Sequence, residues 1–304
     1  MKYVITGSAG HISKPLAETL LQKNQDVTVI GRNPSNLAPL VAKGAKAEIG
    51  SIFDINFLKR AFEGADAVYT MVPPPDPTVT NWKATIQKVG NLYAEAIYEN
   101  KIKYVVNLSS VGAHLPTGAG PVSGLHFEEK ALNELTDVNI KHLRPGYFYT
   151  NFLLTVGMAR NLRIIGGNFG GSDAKMVMIF PNDIADVAAE ELLGLSFTGH
   201  TVRYLAGDEK TTDEIAKIFG MAIGQPELPW VVFTDEQSFK GAMDAGLPEE
   251  MAKNFAEMGA SIRSGKMMED YWKNHPDNLL KTKLEDFASV YAAVYHQEDE
   301  KVHH

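Results

Sequence analysis

The sequence contains no cysteine, which excludes disulfides, thiolate metal sites and a cysteine nucleophile together. It lacks any run of about 18 apolar residues, the length a membrane-spanning helix needs. Basic residues are in deficit: 29 lysines and arginines against 37 acidic residues give a formal charge of −8. That balance disfavours nonspecific binding to phosphate backbones, so neither a nucleic acid nor a membrane is expected as a partner. The nine histidines show no His-Glu-x-x-His or comparable spacing, and no metal is expected. The first apolar strand begins at Tyr3 and reaches a glycine turn by Gly7, which leaves no room for a targeting sequence; a cytoplasmic location is the expectation. His303 and His304 are assigned no role.

What remains is a chain of 304 residues with 44% hydrophobic content and a mean hydropathy of −0.15, a composition suited to one large core or two smaller ones. Its first half alternates short β-branched runs with amphipathic stretches. Strands are predicted over 3–6, 26–30, 45–49, 67–72 and 104–108. Helices are predicted over 14–22, 34–43, 55–62 and 81–100, with Asp54 capping the third. This alternation predicts an α/β fold: a Rossmann-type, doubly wound parallel sheet covered on both faces. Further on, a helix over 125–135 and a strand over 141–143 are followed by a glycine-rich loop over 165–171. A helix over 183–193, with Asp183 as its N-cap, and a strand over 202–205 come next. Beyond about 207 the pattern is mainly helical, with helices over 248–263 and 286–295.

The strongest chemical signal is Gly7-Ser8-Ala9-Gly10-His11-Ile12-Ser13, between the first strand and the first helix. Glycine lets the backbone turn sharply and approach a pyrophosphate, while the helix start offers free amides and a positive dipole end. The third glycine of the usual fingerprint is replaced by Ser13. A glycine pair alone is also a plain strand-to-helix turn; the βαβ series around it turns the reading towards a dinucleotide. The end of the second strand, Ile30-Gly31-Arg32-Asn33, lacks the acidic residue that would bind a ribose 2′-hydroxyl. Arg32 suits a 2′-phosphate instead, so the cofactor expected is NADP(H). Ser51 and Ile52, after the third strand, are expected to frame the adenine. Val72 and Pro73, leaving the fourth, are expected to line the groove, although a rigid turn without ligand contact explains the prolines equally well.

Several motifs recur together along the chain: the opening turn, Arg32, Asn107-Leu108-Ser109-Ser110-Val111-Gly112-Ala113, His126-Phe127-Glu128-Glu129-Lys130, Leu143-Arg144-Pro145-Gly146-Tyr147-Phe148-Tyr149-Thr150-Asn151-Phe152, and Asp183-Ile184-Ala185. In this order they resemble the NmrA-like family of atypical short-chain dehydrogenases/reductases, over nearly the whole chain. The resemblance implies a Rossmann domain over 1–150, to which 183–206 return. A smaller, mainly helical, partly interleaved domain for substrate or partner is implied over 151–182 and 207–304. It also implies kinship with NADPH-dependent quinone, azo-dye and triphenylmethane-dye reductases, and with redox-sensing regulators that have no turnover.

Ordinary short-chain dehydrogenases use a Tyr-x-x-x-Lys pair, in which the tyrosine transfers a proton and the lysine holds the nicotinamide ribose. Here His126 takes the tyrosine slot and Lys130 lies one turn on, on the same helical face. The two are the candidate catalytic residues, with Lys130 as a ribose contact and His126 either a proton donor or a structural histidine. Ser109 ends the fifth strand near the expected nicotinamide. Resemblance places Tyr147 and Phe148 beside the cofactor. Tyr147, Tyr149, Phe152, Phe239 and Met243 are candidate lining for a flat substrate, and core packing accounts for the aromatic cluster as readily.

The missing tyrosine argues against the alcohol/ketone mechanism but not against hydride transfer to an acceptor that spreads charge over a π-system. The expectation is an NADPH-dependent reductase of a small aromatic or quinone-like acceptor. The alternative is a non-catalytic NADP(H) sensor regulating a protein partner; an isomerase-type relative ranks last, and a homodimer is left open.

Overall fold

The computed structural model describes residues 1–7, 9–171 and 174–297. Along the chain run β1 (Lys2–Ile5), α1 (Ser13–Gln22), β2 (Asp26–Gly31), α2 (Pro34–Val41), β3 (Lys46–Ile49), α3 (Ile55–Phe62), β4 (Ala67–Met71), α4 (Trp82–Glu99), β5 (Tyr104–Leu108), α5 (Val122–Asn133) and β6 (Asn139–Pro145). After these come β7 (Tyr147–Phe148), α6 (Val156–Leu162), β8 (Ile165–Gly167), β9 (Lys175–Ile179), α7 (Pro181–Gly194), β10 (His200–Leu205), β11 (Asp208–Thr211) and α8 (Thr212–Ala222). The chain closes with β12 (Trp230–Val232), α9 (Asp235–Asp244), α10 (Glu249–Arg263), α11 (Glu269–Lys273) and α12 (Leu284–Gln297).

The chain divides into two compact units, the first comprising residues 1–116, 121–144 and 184–203, the second 117–120, 145–183 and 204–304. The first is built on a seven-stranded sheet in the order β10-β6-β5-β4-β1-β2-β3, whose pairings from β3 to β6 are all parallel. Its central strands read as unbroken apolar runs because helices cover both faces; Val4, Ile5, Val105 and Val106 are fully buried. The edge strand β3 is exposed along its length and carries Lys46 and Glu48, charges that discourage edge-to-edge pairing. α4 and α5 approach closely through glycines: a Cβ on Gly90 would meet Glu128 at 2.7–2.9 Å, and one on Gly124 would meet Ile86 at 2.8–3.1 Å.

The second unit holds a three-stranded sheet, β11-β9-β7, and the pair β12-β8. Its core is aromatic, with Phe219 stacked on Tyr291 at 4.1 Å between centroids and Phe152 against Phe219 and Trp230.

Three local expectations change. The 165–171 segment is not all loop: residues Ile165–Gly167 form β8, parallel to β12. Its glycine is there because the backbone of Val231 passes where a Gly166 Cβ would sit. The stretch beyond 207 contains β11 and β12 as well as helices. Asp183 is not an N-cap, since α7 begins at Pro181. The Asp183 carboxylate instead accepts from the Thr282 amide at 3.1 Å and hydroxyl at 2.8 Å. Among the described residues no helix is long and apolar enough to cross a membrane.

Candidate functional site

In the first unit's sheet, β2 and β3 extend to one side of β1 and β4, β5 and β6 to the other. Open α/β sheets bind ligands outside the carboxyl ends of the strands, where the strand order reverses. A cavity of ≈ 420 Å³ opens there, lined from the segments that follow β1 to β4, a size within the usual range of small-molecule sites.

The turn after β1 is fixed by glycine. Gly7 has φ +64°, which an L side chain rarely adopts, and a Cβ there would run into the Met71 side chain. The Gly10 amide donates to Gly7 O at 2.9 Å, and the Lys14 amide to Gly10 O at 3.1 Å as α1 begins. Among the described residues no side chain caps α1 at Ile12, so the positive end of its dipole meets no side chain of its own there. Gly7, Ala9 and Gly10 line the cavity. Ile12 is buried in the core and His11 is exposed outside the lining. Ser8 lies outside the described residues.

Arg32 lines the same cavity and is exposed; among the described residues it makes no ion pair. Next to it Asn33 caps α2, accepting from the Ser35 amide at 2.9 Å. Ser51 and Ile52 line the cavity beside Gly50, whose missing Cβ leaves room for the Phe57 ring. The Asp54 carboxylate caps α3 through the Asn56 amide at 2.9 Å and the Phe57 amide at 3.2 Å. Val72 and Pro73 line the wall that leaves β4. Sequence reasoning missed Asn36, Asp76 and Val79, which also line it; nothing in their type marks them, since an asparagine in a helix, an aspartate in a proline-rich turn and a lone valine are all common without a ligand.

The fifth strand leads to the remaining candidates of this unit. Ser109 is buried, and its amide donates to Leu143 O at 2.8 Å. His126 is half-buried on α5, with its Nδ1 2.9 Å from Ala113 O. A carbonyl only accepts, so the Nδ1 proton is committed there. Lys130, one turn on, is exposed and has no ion pair among the described residues.

Beneath them lies a buried polar layer. Thr70 Oγ1 donates to Asn107 Oδ1 at 2.8 Å, Asn107 Nδ2 lies 3.2 Å from His142 Nδ1, and His142 Nε2 lies 3.0 Å from Asn133 Oδ1. Burial depresses the His142 imidazole to about 4, against the opposing pull of Glu129. Burial works to raise the Glu129 carboxyl, but the Arg144 guanidinium, bound through Nε at 2.9 Å and Nη2 at 2.6 Å, holds it below the usual range. Glu128 is different: it is fully buried, and neither oxygen finds a hydrogen-bond partner among the described residues. Burial and then the neighbouring Glu129 charge push its carboxyl well above the ordinary range.

The other candidates belong to the second unit. Tyr147 and Phe148 form β7 and are half-buried, with the Tyr147 ring against Phe152 and Phe169. Tyr149 and Phe152 are fully buried; the Tyr149 hydroxyl donates to Thr282 O at 3.0 Å. Phe239 is half-buried and Met243 is 39% exposed, both on α9, which buries none of its residues fully.

Comparison with known proteins adds three findings. The profile of the NmrA-like family matches residues 2–289. No curated protein sequence matches the chain. Among solved structures, an NADPH-dependent quinone oxidoreductase of Escherichia coli complexed with NADPH is 20% identical, with 95% of this chain and 99% of that one covered and a TM-score of 0.79. A Citrobacter triphenylmethane reductase complexed with NADP(H) is 19% identical over 95% of this chain and 99% of that one, with a TM-score of 0.77. A nucleoside-diphosphate-sugar epimerase of Staphylococcus aureus is 14% identical over 95% and 100%, with a TM-score of 0.76. At these identities the solved structures speak for the fold, and the profile, spanning nearly every residue, speaks for descent: the chain belongs to the NmrA-like family.

Proposed function

We propose that this chain is an NADP(H)-dependent reductase that passes hydride to a flat conjugated acceptor such as a quinone or an azo or triphenylmethane dye. The observation that carries the reading is the composition of the groove. A glycine turn at Gly7, where an L side chain would be strained, leads into the start of α1, and Arg32, which makes no ion pair among the described residues, lines the same cavity. The first two fit a pyrophosphate and the third fits an extra phosphate on the adenosine ribose. Family membership and the quinone and dye reductases among the similar structures favour the same class. When bound, the reduced nicotinamide supplies the hydride.

The rest falls to the chain's own residues. Gly7, Ala9, Gly10 and the dipole of α1 hold the pyrophosphate; Arg32 holds the 2′-phosphate; Ser51 and Ile52 frame the adenine; Lys130 contacts the nicotinamide ribose. His126 commits its Nδ1 proton to Ala113 O, so that proton is not offered to a substrate, and no tyrosine stands in its place to supply one. An acceptor that spreads negative charge over a π-system and draws its proton from water matches that arrangement better than a ketone, whose alkoxide needs a donor in place.

The test is a panel of quinones and of azo and triphenylmethane dyes with NADPH, followed by the loss of reduced-nicotinamide absorbance. Turnover with at least one class is expected, and a simple ketone panel is expected to be inert. Tight NADPH binding without turnover of any acceptor would overturn the reductase reading and leave a dinucleotide-binding sensor.

A further inference from the structure

The second wall of the groove is the segment over 72–81, between β4 and α4, and it contains four prolines, Pro73, Pro74, Pro75 and Pro77. Each fixes its own φ and restricts the residue before it, so this wall is stiff although it has no regular structure. Asp76 sits between two of them. Its Oδ1 accepts from the Thr78 amide at 2.9 Å and the Thr78 hydroxyl at 2.6 Å, and its carbonyl accepts from the Val79 amide at 2.9 Å. Together these bonds make an Asx turn that holds the carboxylate in one orientation. Asp76 is exposed and lines the same cavity as Arg32, and no ion pair joins the two. The Thr78 bonds, and the field of Arg32 behind them, hold the Asp76 carboxyl below its ordinary range, so the anion persists at neutral pH.

One cavity thus presents a cation and a fixed anion to whatever occupies its adenosine end. A 2′-phosphate, nearly doubly charged at neutral pH, is drawn by the first and repelled by the second. A plain ribose carries no charge to repel and offers hydroxyls that a carboxylate accepts well, the role an acid at the end of the second strand plays in NAD-selective sheets.

We infer that Asp76 is a specificity-determining residue that works against Arg32, narrowing the preference for NADPH over NADH. The inference rests on the dinucleotide reading above and extends it: the groove has a second selector, placed on the opposite side of the strand-order reversal from the first. For two exposed charges within one cavity at moderate salt, the repulsion amounts to roughly a three- to tenfold loss in NADPH affinity.

The experiment measures NADPH and NADH affinities calorimetrically for the full chain and for Asp76→Asn, Asp76→Ser and Arg32→Ala, at low and high salt. Asparagine keeps the Oδ1 acceptor of the Thr78 turn and removes only the charge; serine is a second neutral residue that can make a similar turn. In Asp76→Asn and Asp76→Ser, NADPH is expected to bind roughly three- to tenfold more tightly while NADH does not gain, and the difference shrinks as salt rises. Arg32→Ala is expected to shift the NADPH-to-NADH ratio the other way. If the ratio is unchanged in both Asp76 variants while Arg32→Ala lowers it, the role of Asp76 is refuted and the cofactor reading stands. Should the wild-type chain bind neither dinucleotide, both fall.

Discussion

His142 makes a sharp test of the buried polar layer. In the native arrangement Thr70 Oγ1 occupies Asn107 Oδ1, which leaves the Asn107 amide nitrogen to donate to His142 Nδ1 at 3.2 Å. The imidazole proton is therefore on Nε2, donated to Asn133 Oδ1 at 3.0 Å. A second proton on Nδ1 would set one N–H against another at a buried site. Burial accordingly lowers the imidazole from 6.5 to about 4 in the folded chain. Because the unfolded chain takes up this proton first, the stability it represents is complete above pH 6.5. It is lost progressively as pH falls from there towards 4. The full difference corresponds to about 3 kcal/mol, of which about 2 kcal/mol is already gone near pH 5. Urea unfolding of the wild-type chain and of His142→Gln across this window isolates the contribution, since Glu129, Arg144 and other titrating neighbours are common to both. The wild-type curve should fall more steeply on acidification, by about one proton's worth of slope, and the two should converge near pH 4 after a gap set at neutral pH. Parallel curves would mean that the ring takes up its proton in the folded state as easily as in the unfolded one, and the buried layer would not be as described.

Glu128 is expected to behave in the opposite sense. Its folded carboxyl is raised, so stability is greatest at low pH and declines as pH climbs past the ordinary carboxylate range. Glu128→Gln should then gain on the wild type in thermal or urea melts as pH rises from 5 to 8; a difference that stays constant across this range would contradict a raised carboxyl. Gly7→Ala forces a side chain into φ +64° and against Met71. It should cost about 1–3 kcal/mol in unfolding free energy and abolish calorimetric NADPH binding, whereas unchanged binding would remove the turn from the site.

How much of this was legible in the sequence depends on how local the cause is. The βαβ series could be read almost to the residue, with 55–62 and 104–108 matching α3 and β5 end to end, because β-branched runs, a capping Asp54 and a glycine turn act within a few positions of themselves. The first wall of the groove could be read for the same reason: Gly7, Gly10, Arg32, Ser51 and Ile52 each sit where a strand has just ended. β8, β9, β11 and β12 could not, because short strands are made by partners far along the chain and carry little periodicity of their own.

The polar layer under the fifth strand shows where such reading has to stop. Nothing in the triplet Glu128-Glu129-Lys130 tells its members apart in one dimension, yet only Lys130 is exposed. Glu129 is held by Arg144, and Glu128 sits where a Gly90 Cβ would be, while Ile86 of α4 takes the same place beside Gly124 of α5. Neither looks different from any helical glycine in one dimension. A side chain at either glycine would meet the other helix, so the raised carboxyl of Glu128 is a property of the crossing rather than of the residue. The same logic applies to the groove. Arg32 alone in the sequence predicts a phosphate selector, but a stiff proline-bearing wall places Asp76 in the same cavity, from 44 positions further along, and the selectivity that results belongs to the pair.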